Sequence, residues 1–284
     1  MQSVMLGTAQ WGLDYGTTNA SGRLSDEAIA GILAVARDAG VSALDTAPGY
    51  GDAEKRVGQF GGGFAVQTKV SAAGSDAAHI RASATASLSR LGRDRVASVL
   101  VHDWTLLDAS TRSAVAGVLA ELRSSGVVER VGVSGYSSLD ISSALAAFEV
   151  LDVVQVPVSV LDQRLEGSAE VAALRARGGR VQARSVLLQG AAVAPEAHPL
   201  FGTHPDVVRL RSSGQSLALC LGYVASRTWV DEVLLAPTSG DELAASLASW
   251  ASPLEGVSWA DWASIDPWLL DPRLWTASTQ VSRP

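Results

Sequence analysis

A chain of 284 residues with 47% apolar and 18% charged side chains can build a large buried core and is not a disordered polypeptide. Its length allows one large domain or two small ones. A formal charge of −7, with no run of lysines or arginines, argues against nucleic acid or an anionic membrane as the partner. One cysteine, Cys220, excludes an internal disulfide and a cysteine-built zinc site, and within SLALCLGYV it reads as a small buried hydrophobe. His79, His102, His198 and His204 lack metal-ligand spacing, so no metal is expected. No apolar run reaches the roughly 18 residues of a membrane span. MQSVMLGTAQWGL lacks the basic start and apolar core of a secretory signal, so a cytoplasmic protein is expected.

The chain alternates between short β-branched runs and longer amphipathic ones. SVMLGTA opens it. SDEAIAGILAVARDAG then starts on a Ser-Asp-Glu capping signal, spaces Ile29, Ile32, Leu33 and Ala36 for a helix, and stops at Gly40. VSALDTA, FAVQTKV, VASVLVHD, ERVGVSG, DVVQVPVSV, RVQARSVLL and DEVLLAP continue the strand-like series. Between them DAAHIRASATASLSRLG, TRSAVAGVLAELRSSG, LDISSALAAFEV, SAEVAALRARGG and DVVRLRSSGQSLALCLGYVASR read as helices, and GDELAASLASW follows the last strand. Most strand runs are continuously apolar, as in a parallel sheet covered on both faces. Eight such strands, each followed by a helix over roughly 250 residues, give the arithmetic of a (β/α)8 TIM barrel. A doubly wound sheet would show a glycine-rich dinucleotide fingerprint after the first strand, and GTAQWGLDYG, with no helix start close behind, is not one. The expected organisation is a single domain over residues 1–284. Its barrel spans about residues 3–250, and a tryptophan-rich tail spans about 251–284.

Barrels of this kind carry their chemistry at the C-terminal ends of the strands. There the second strand ends in Asp45, with Tyr50 in the following turn LDTAPGYGDAE. The third ends in Lys69, the fourth in His102 and the fifth in Ser134. The sixth carries Gln155, and the seventh Arg184 and Ser185. Singly, Asp45 could cap a helix and Lys69 could reach solvent. Jointly, a buried Lys69 needs a counter-charge, which Asp45 on the adjacent strand can supply. An ammonium beside a phenol favours the phenolate, which would make Tyr50 a proton donor usable near neutral pH.

LDTAPGYGDAE, QTKV and LVHD, in this order and spacing, resemble the Asp–Tyr–Lys–His signature of the aldo-keto reductase family. LGTAQWGLDYG, VGVSGYS, VVQVPVSVLDQR, ARSVLLQG and VLLAPTS resemble its first, fifth, sixth, seventh and eighth strands, so the resemblance covers about residues 3–250. It implies a nicotinamide-dependent carbonyl reductase or alcohol dehydrogenase. Tyr50 would protonate the carbonyl oxygen, Lys69 and Asp45 would tune Tyr50, and His102 would orient the carbonyl. Ser134 and Gln155 would bind the nicotinamide carboxamide, and Ser185, Thr238 and Ser239 the pyrophosphate end. The implied partner is a small carbonyl substrate; no protein partner is implied.

Three departures from the family pattern stand out. Gly135 replaces a common asparagine. Arg184 stands where an aromatic residue commonly stacks on the nicotinamide, and its charge would disfavour the oxidised ring. After the eighth strand, LLAPTSGDELAASL has no basic clamp for the 2′-phosphate of NADP(H) and instead carries Asp241 and Glu242. Those acids could repel a phosphate and accept a ribose hydroxyl, giving weak discrimination or a preference for NAD(H), or they could simply be first-turn acids of a helix. Trp11 and Trp104 are expected as pocket walls. The tail tryptophans 259, 262, 268 and 275 could pack on outer helices or cover the mouth. The short loop HDWTLLDAST suggests an open mouth suited to a polar aldehyde. Two alternatives stay open: a cofactor-binding regulatory subunit of the same fold, and a lyase or isomerase using Tyr50 and Lys69 without net redox chemistry.

Overall fold

The computed structural model describes residues 2–252 and 254–275. All eight apolar runs form strands: β1 Ser3–Gly7, β2 Ala43–Asp45, β3 Ala65–Val70, β4 Val96–Val101, β5 Val128–Ser134, β6 Val153–Pro157, β7 Arg180–Arg184 and β8 Glu232–Leu235. Each pairs in parallel with its sequence neighbours, and β8 pairs with β1, so the sheet closes into a barrel with helices between the strands. This is the (β/α)8 architecture, and it brings every strand's C-terminal end to one face.

Local chemistry explains where the helices begin and end. Ser25, Asp76, Asp108, Ser168 and Ser239 each accept a backbone N–H from the first turn of the helix that follows. Ile29, Ile32, Leu33 and Ala36 all lie buried on one face of helix Asp26–Asp38. The segment 206–227, read from sequence as one helix, divides into Pro205–Ser212 and Ser216–Ala225. Gly214, at φ +67°, makes the break. A single helical turn, Ala9–Gly12, follows β1 directly, where no helix start was expected. Cys220 is fully buried, and burial pushes its thiol up to about 12, in keeping with an inert core residue.

The barrel interior is less apolar than the strand runs suggest. Asp45 pairs with Gln67 across β2–β3, Gln155 with Gln182 across β6–β7, and Gln182 with Glu232 across β7–β8. All five side chains are buried, so a polar layer fills the barrel where branched apolar residues are usual. Lys69 lies two residues beyond Gln67 on β3, and the two-residue period of a strand puts both on the same inward face. Among the described residues no helix is long and apolar enough to cross a membrane, and no group of three or more His, Cys, Asp and Glu side chains could hold a metal.

Candidate active site

Lys69 is fully buried, and its ammonium has three oxygen partners. It donates to Asp45 Oδ2 at 2.6 Å, to the Thr46 carbonyl at 3.1 Å and to Tyr50 Oη at 3.4 Å. Burial alone would pull the ammonium down, but the Asp45 carboxylate and Tyr50 outweigh it and hold Lys69 above its ordinary value. Asp45 is itself buried, with its other oxygen accepting from Gln67 Nε2 at 2.7 Å and Gln155 Nε2 at 3.1 Å.

The turn after β2 fixes Tyr50 through the main chain. Gly51 takes a left-handed φ of +61° beside Gly12, where a Cβ would lie 2.3 Å from the Gly12 carbonyl. A Cβ on Gly12 would in turn lie 1.9 Å from the Tyr50 carbonyl. Only glycine fits at either position, so the helical turn after β1 seats directly on the backbone of the tyrosine turn. The Tyr50 and His102 rings meet edge to face, 5.7 Å between centroids. Burial first, and then the nearby Lys69 ammonium, lower His102 from 6.5 to about 4, so its imidazole is neutral at physiological pH.

That shift predicts a pH dependence. Between pH 6.5 and about 4 the unfolded chain takes up a proton that the folded His102 refuses. The contribution of His102 to stability is therefore intact above pH 6.5 and lost as the pH falls toward 4. His102→Gln should flatten the fall in denaturation midpoint across this window. Parallel curves for the two proteins would contradict it.

Tyr50, His102, Asp45, Ser134, Gln155, Arg184, Ser185, Thr238 and Glu242 all line one cavity of about 390 Å³ at the C-terminal face. Lys69 is absent from the lining and touches it through Asp45 and Tyr50. Gln155 turns its amide nitrogen inward, to Asp45 at 3.1 Å and Gln182 at 3.1 Å. Both N–H groups are thus committed, and the carbonyl oxygen is the atom left for a ligand. Arg184 donates to the Gly135 carbonyl at 2.9 Å and Ser185 Oγ at 3.2 Å, and packs over the Tyr136 ring. Gly135 has a local reason: a Cβ there would lie 2.7 Å from Cβ of Asp140, whose carboxylate accepts the Tyr136 and Ser137 N–H groups. Two buried polar atoms of cavity-lining residues, Gln10 Oε1 and Arg184 Nε, have no partner among the described residues. Ser185 adopts a left-handed φ of +56°, an uncommon backbone state for a side chain-bearing residue at the end of β7.

Three expected site residues lie elsewhere. Trp11 and Trp104 are not pocket walls: both are buried in the core and absent from the cavity lining. Burial of Trp104 is completed by hydrogen bonds from its indole N–H to the Asp140 carbonyl and Ser143 Oγ. Ser239 also stays out of the cavity, because its hydroxyl caps helix Gly240–Ala251 by accepting the Glu242 N–H at 3.1 Å. The tail divides its work. Trp259 packs on Tyr223, Trp262 under Arg209, and Trp268 and Trp275 on Phe201, so none of the four lines the cavity. Pro272 does line it, and Arg273 beside it packs on Tyr136.

The loop after β4 is short, but the mouth is not simply open. Thr17 donates from its N–H and hydroxyl to the Gln189 carbonyl, both at 2.9 Å, and His198 Nε2 lies 2.9 Å from the Thr17 carbonyl. The loops after β1 and β7 are therefore joined across the face. Tyr15, Tyr136 and Gln189 supply walls that the sequence did not single out. Tyr136 follows Gly135 just after β5, whereas Tyr15 lies eight residues beyond the end of β1, and nothing in their spacing marks them as walls.

The site is thus a buried lysine–carboxylate pair under a tyrosine at the C-terminal mouth of a closed parallel barrel. A family-level comparison matches residues 3–267 to the Aldo/keto reductase family, and the chain belongs to that family. It is similar to the crystal structure of PA4992 from Pseudomonas aeruginosa, assigned as an aldo-keto reductase. That match has 26% identity, 87% of this chain and 89% of that one, and a TM-score of 0.68. A second structure of an aldo-keto reductase assigned from the same organism matches at 26% identity, over 87% and 88% of the two chains, with a TM-score of 0.67. No curated protein matches the chain.

Proposed function

We infer that this protein reduces an aldehyde or ketone, or oxidises the corresponding alcohol, with a nicotinamide dinucleotide. The observation that carries the reading is the buried Lys69 ammonium, 2.6 Å from Asp45 and 3.4 Å from a tyrosine oxygen that faces a cavity. The donor set suits the cofactor. An acceptor on Gln155 and the Ser134 hydroxyl match a carboxamide, while Gln10 Oε1 and Arg184 Nε have polar capacity to spare. When bound, the reduced nicotinamide supplies the hydride to the carbonyl carbon. Tyr50 gives its proton to the carbonyl oxygen, and the charge left on its own oxygen is balanced by Lys69. Neutral His102, beside the Tyr50 ring, can donate an N–H to the same oxygen without placing a second cation next to Lys69.

The test is absorbance at the reduced-nicotinamide band on mixing protein and nucleotide with a panel of aldehydes and ketones. Oxidation of the nucleotide with matching alcohol formation is expected. Tight nucleotide binding without turnover would favour a regulatory role, and product formed with no nucleotide change would favour a lyase or isomerase. Either outcome sinks the redox reading.

The nucleotide's far end favours NAD(H). Glu242 Oε2 accepts both the Thr238 N–H and the Thr238 hydroxyl at 2.7 Å. A carboxylate thus occupies both Thr238 donors, and it adds charge that repels a 2′-phosphate. NADH should bind about tenfold tighter than NADPH, a difference of about 1.4 kcal/mol, and Glu242→Ala should narrow the gap. Fluorescence titration of both nucleotides checks this, and NADPH binding tenfold tighter than NADH would overturn it.

A further inference from the structure

Beneath the tyrosine, the barrel holds polar groups for which the proposed reaction has no direct use. Gln67 and Gln182 face each other amide to amide. Gln67 Nε2 donates to Gln182 Oε1 at 2.8 Å, and Gln182 Nε2 donates to Gln67 Oε1 at 2.9 Å. The second hydrogen of each amide goes to a carboxylate: Gln67 to Asp45 Oδ1 at 2.7 Å, and Gln182 to Glu232 Oε2 at 2.6 Å. Gln67 and Gln182 are each 1% exposed, so water does not compete for these bonds.

This arrangement has one polarity. Turning over either amide would set its carbonyl oxygen against a carboxylate oxygen and break the reciprocal pair, exchanging attraction for repulsion in a dry interior. Glu232 fixes the far end, with Arg180 Nη2 3.2 Å and Arg130 Nη1 3.9 Å from its other oxygen. Orientation set at Glu232 is thereby passed through two amides to Asp45. There Gln67 and Gln155 occupy Oδ1, and Oδ2 is the oxygen left for Lys69.

We propose that Gln67 and Gln182 are positioning residues that restrict Lys69 to one oxygen of Asp45 and so keep its ammonium within reach of Tyr50. The proposal deepens the reading of Tyr50 as proton donor and rests on it for its catalytic consequence. With Gln67 replaced by an apolar side chain, Oδ1 loses its shortest hydrogen bond. The ammonium is then drawn between both carboxylate oxygens and away from the 3.4 Å contact with the tyrosine. A residue that only filled the core would lower stability and leave the titration of Tyr50 where it was.

The experiment is a tyrosinate absorbance titration of the full chain without nucleotide or substrate. Wild type, Gln67→Leu and Gln182→Leu are each measured against the same protein carrying Tyr50→Phe, so that the difference reports Tyr50 alone. Gln67→Leu should raise the Tyr50 midpoint by about half a pH unit or more, with Gln182→Leu moving it the same way by less. In turnover, Gln67→Leu should lower kcat about tenfold with little change in KM for the carbonyl compound. Should Gln67→Leu not fold, Gln182→Leu carries the test. An unmoved midpoint in a folded variant overturns the positioning role, even if Tyr50→Phe is inactive. A raised midpoint in a protein whose Tyr50→Phe variant still turns over would support the positioning role and remove the proton-donor reading.

Discussion

Replacing Tyr50 with phenylalanine is expected to lower kcat about a thousandfold while leaving the fold and nucleotide affinity close to wild type. The substitution removes one oxygen and nothing else. The ring that meets His102 edge to face and lies 5.1 Å from the Lys69 ammonium is retained, so local packing is preserved. Lys69 keeps its bonds to Asp45 and the Thr46 carbonyl. What disappears is the only hydroxyl at the cavity, among the described residues, with a buried ammonium beside it. Steady-state rates with any accepted carbonyl compound, alongside a nucleotide titration, would check this. A variant retaining more than about a tenth of wild-type kcat would show that the proton comes from another group.

The largest stability effect is expected at Lys69. Lys69→Met keeps much of the side-chain volume but removes the ammonium from a site with no solvent exposure. Asp45, 2% exposed, would keep its amide donors and lose its counter-charge. Breaking one side of a buried pair costs about 3–5 kcal/mol, because the remaining charge is stranded. The double variant Asp45→Asn/Lys69→Met removes both charges and should recover a large part of that loss. Denaturant midpoints of the single and double variants measure the difference. A single variant within about 1 kcal/mol of wild type would mean that the pair is not shielded from water as its burial indicates.

The barrel was legible because its strands and helices obey different periods. Continuous β-branched runs marked the strands, and helical spacing with serine or aspartate caps marked the helices. The close approach of Asp45, Lys69 and Tyr50 was also legible, since adjacent parallel strands put their end residues side by side. Gln67, Gln182 and Glu232 went unread because each looks like an isolated polar residue in an apolar run. Their signal was the two-residue period: Gln67 lies two before Lys69 and Gln182 two before Arg184, on the same faces as residues already singled out. Trp11 and Trp104 misled because a large aromatic next to a strand end can face the mouth or turn beneath it. Sequence position alone does not distinguish the two. The break at Gly214 was visible as a glycine, but the apolar spacing ran through it.

The seating of Gly12 against the tyrosine turn has a consequence for altering this protein. The main chain of Tyr50 is seated backbone against backbone on the turn at Gly12, and its side chain meets Lys69 and His102. Tyr15, Tyr136, Gln189 and Pro272, which face the cavity from other loops, are therefore expected to be exchangeable without shifting the tyrosine main chain. What the cavity accepts and how the tyrosine is held are expected to be separable here. A library that varies the walls and spares the two glycines should alter the first and leave the second in place.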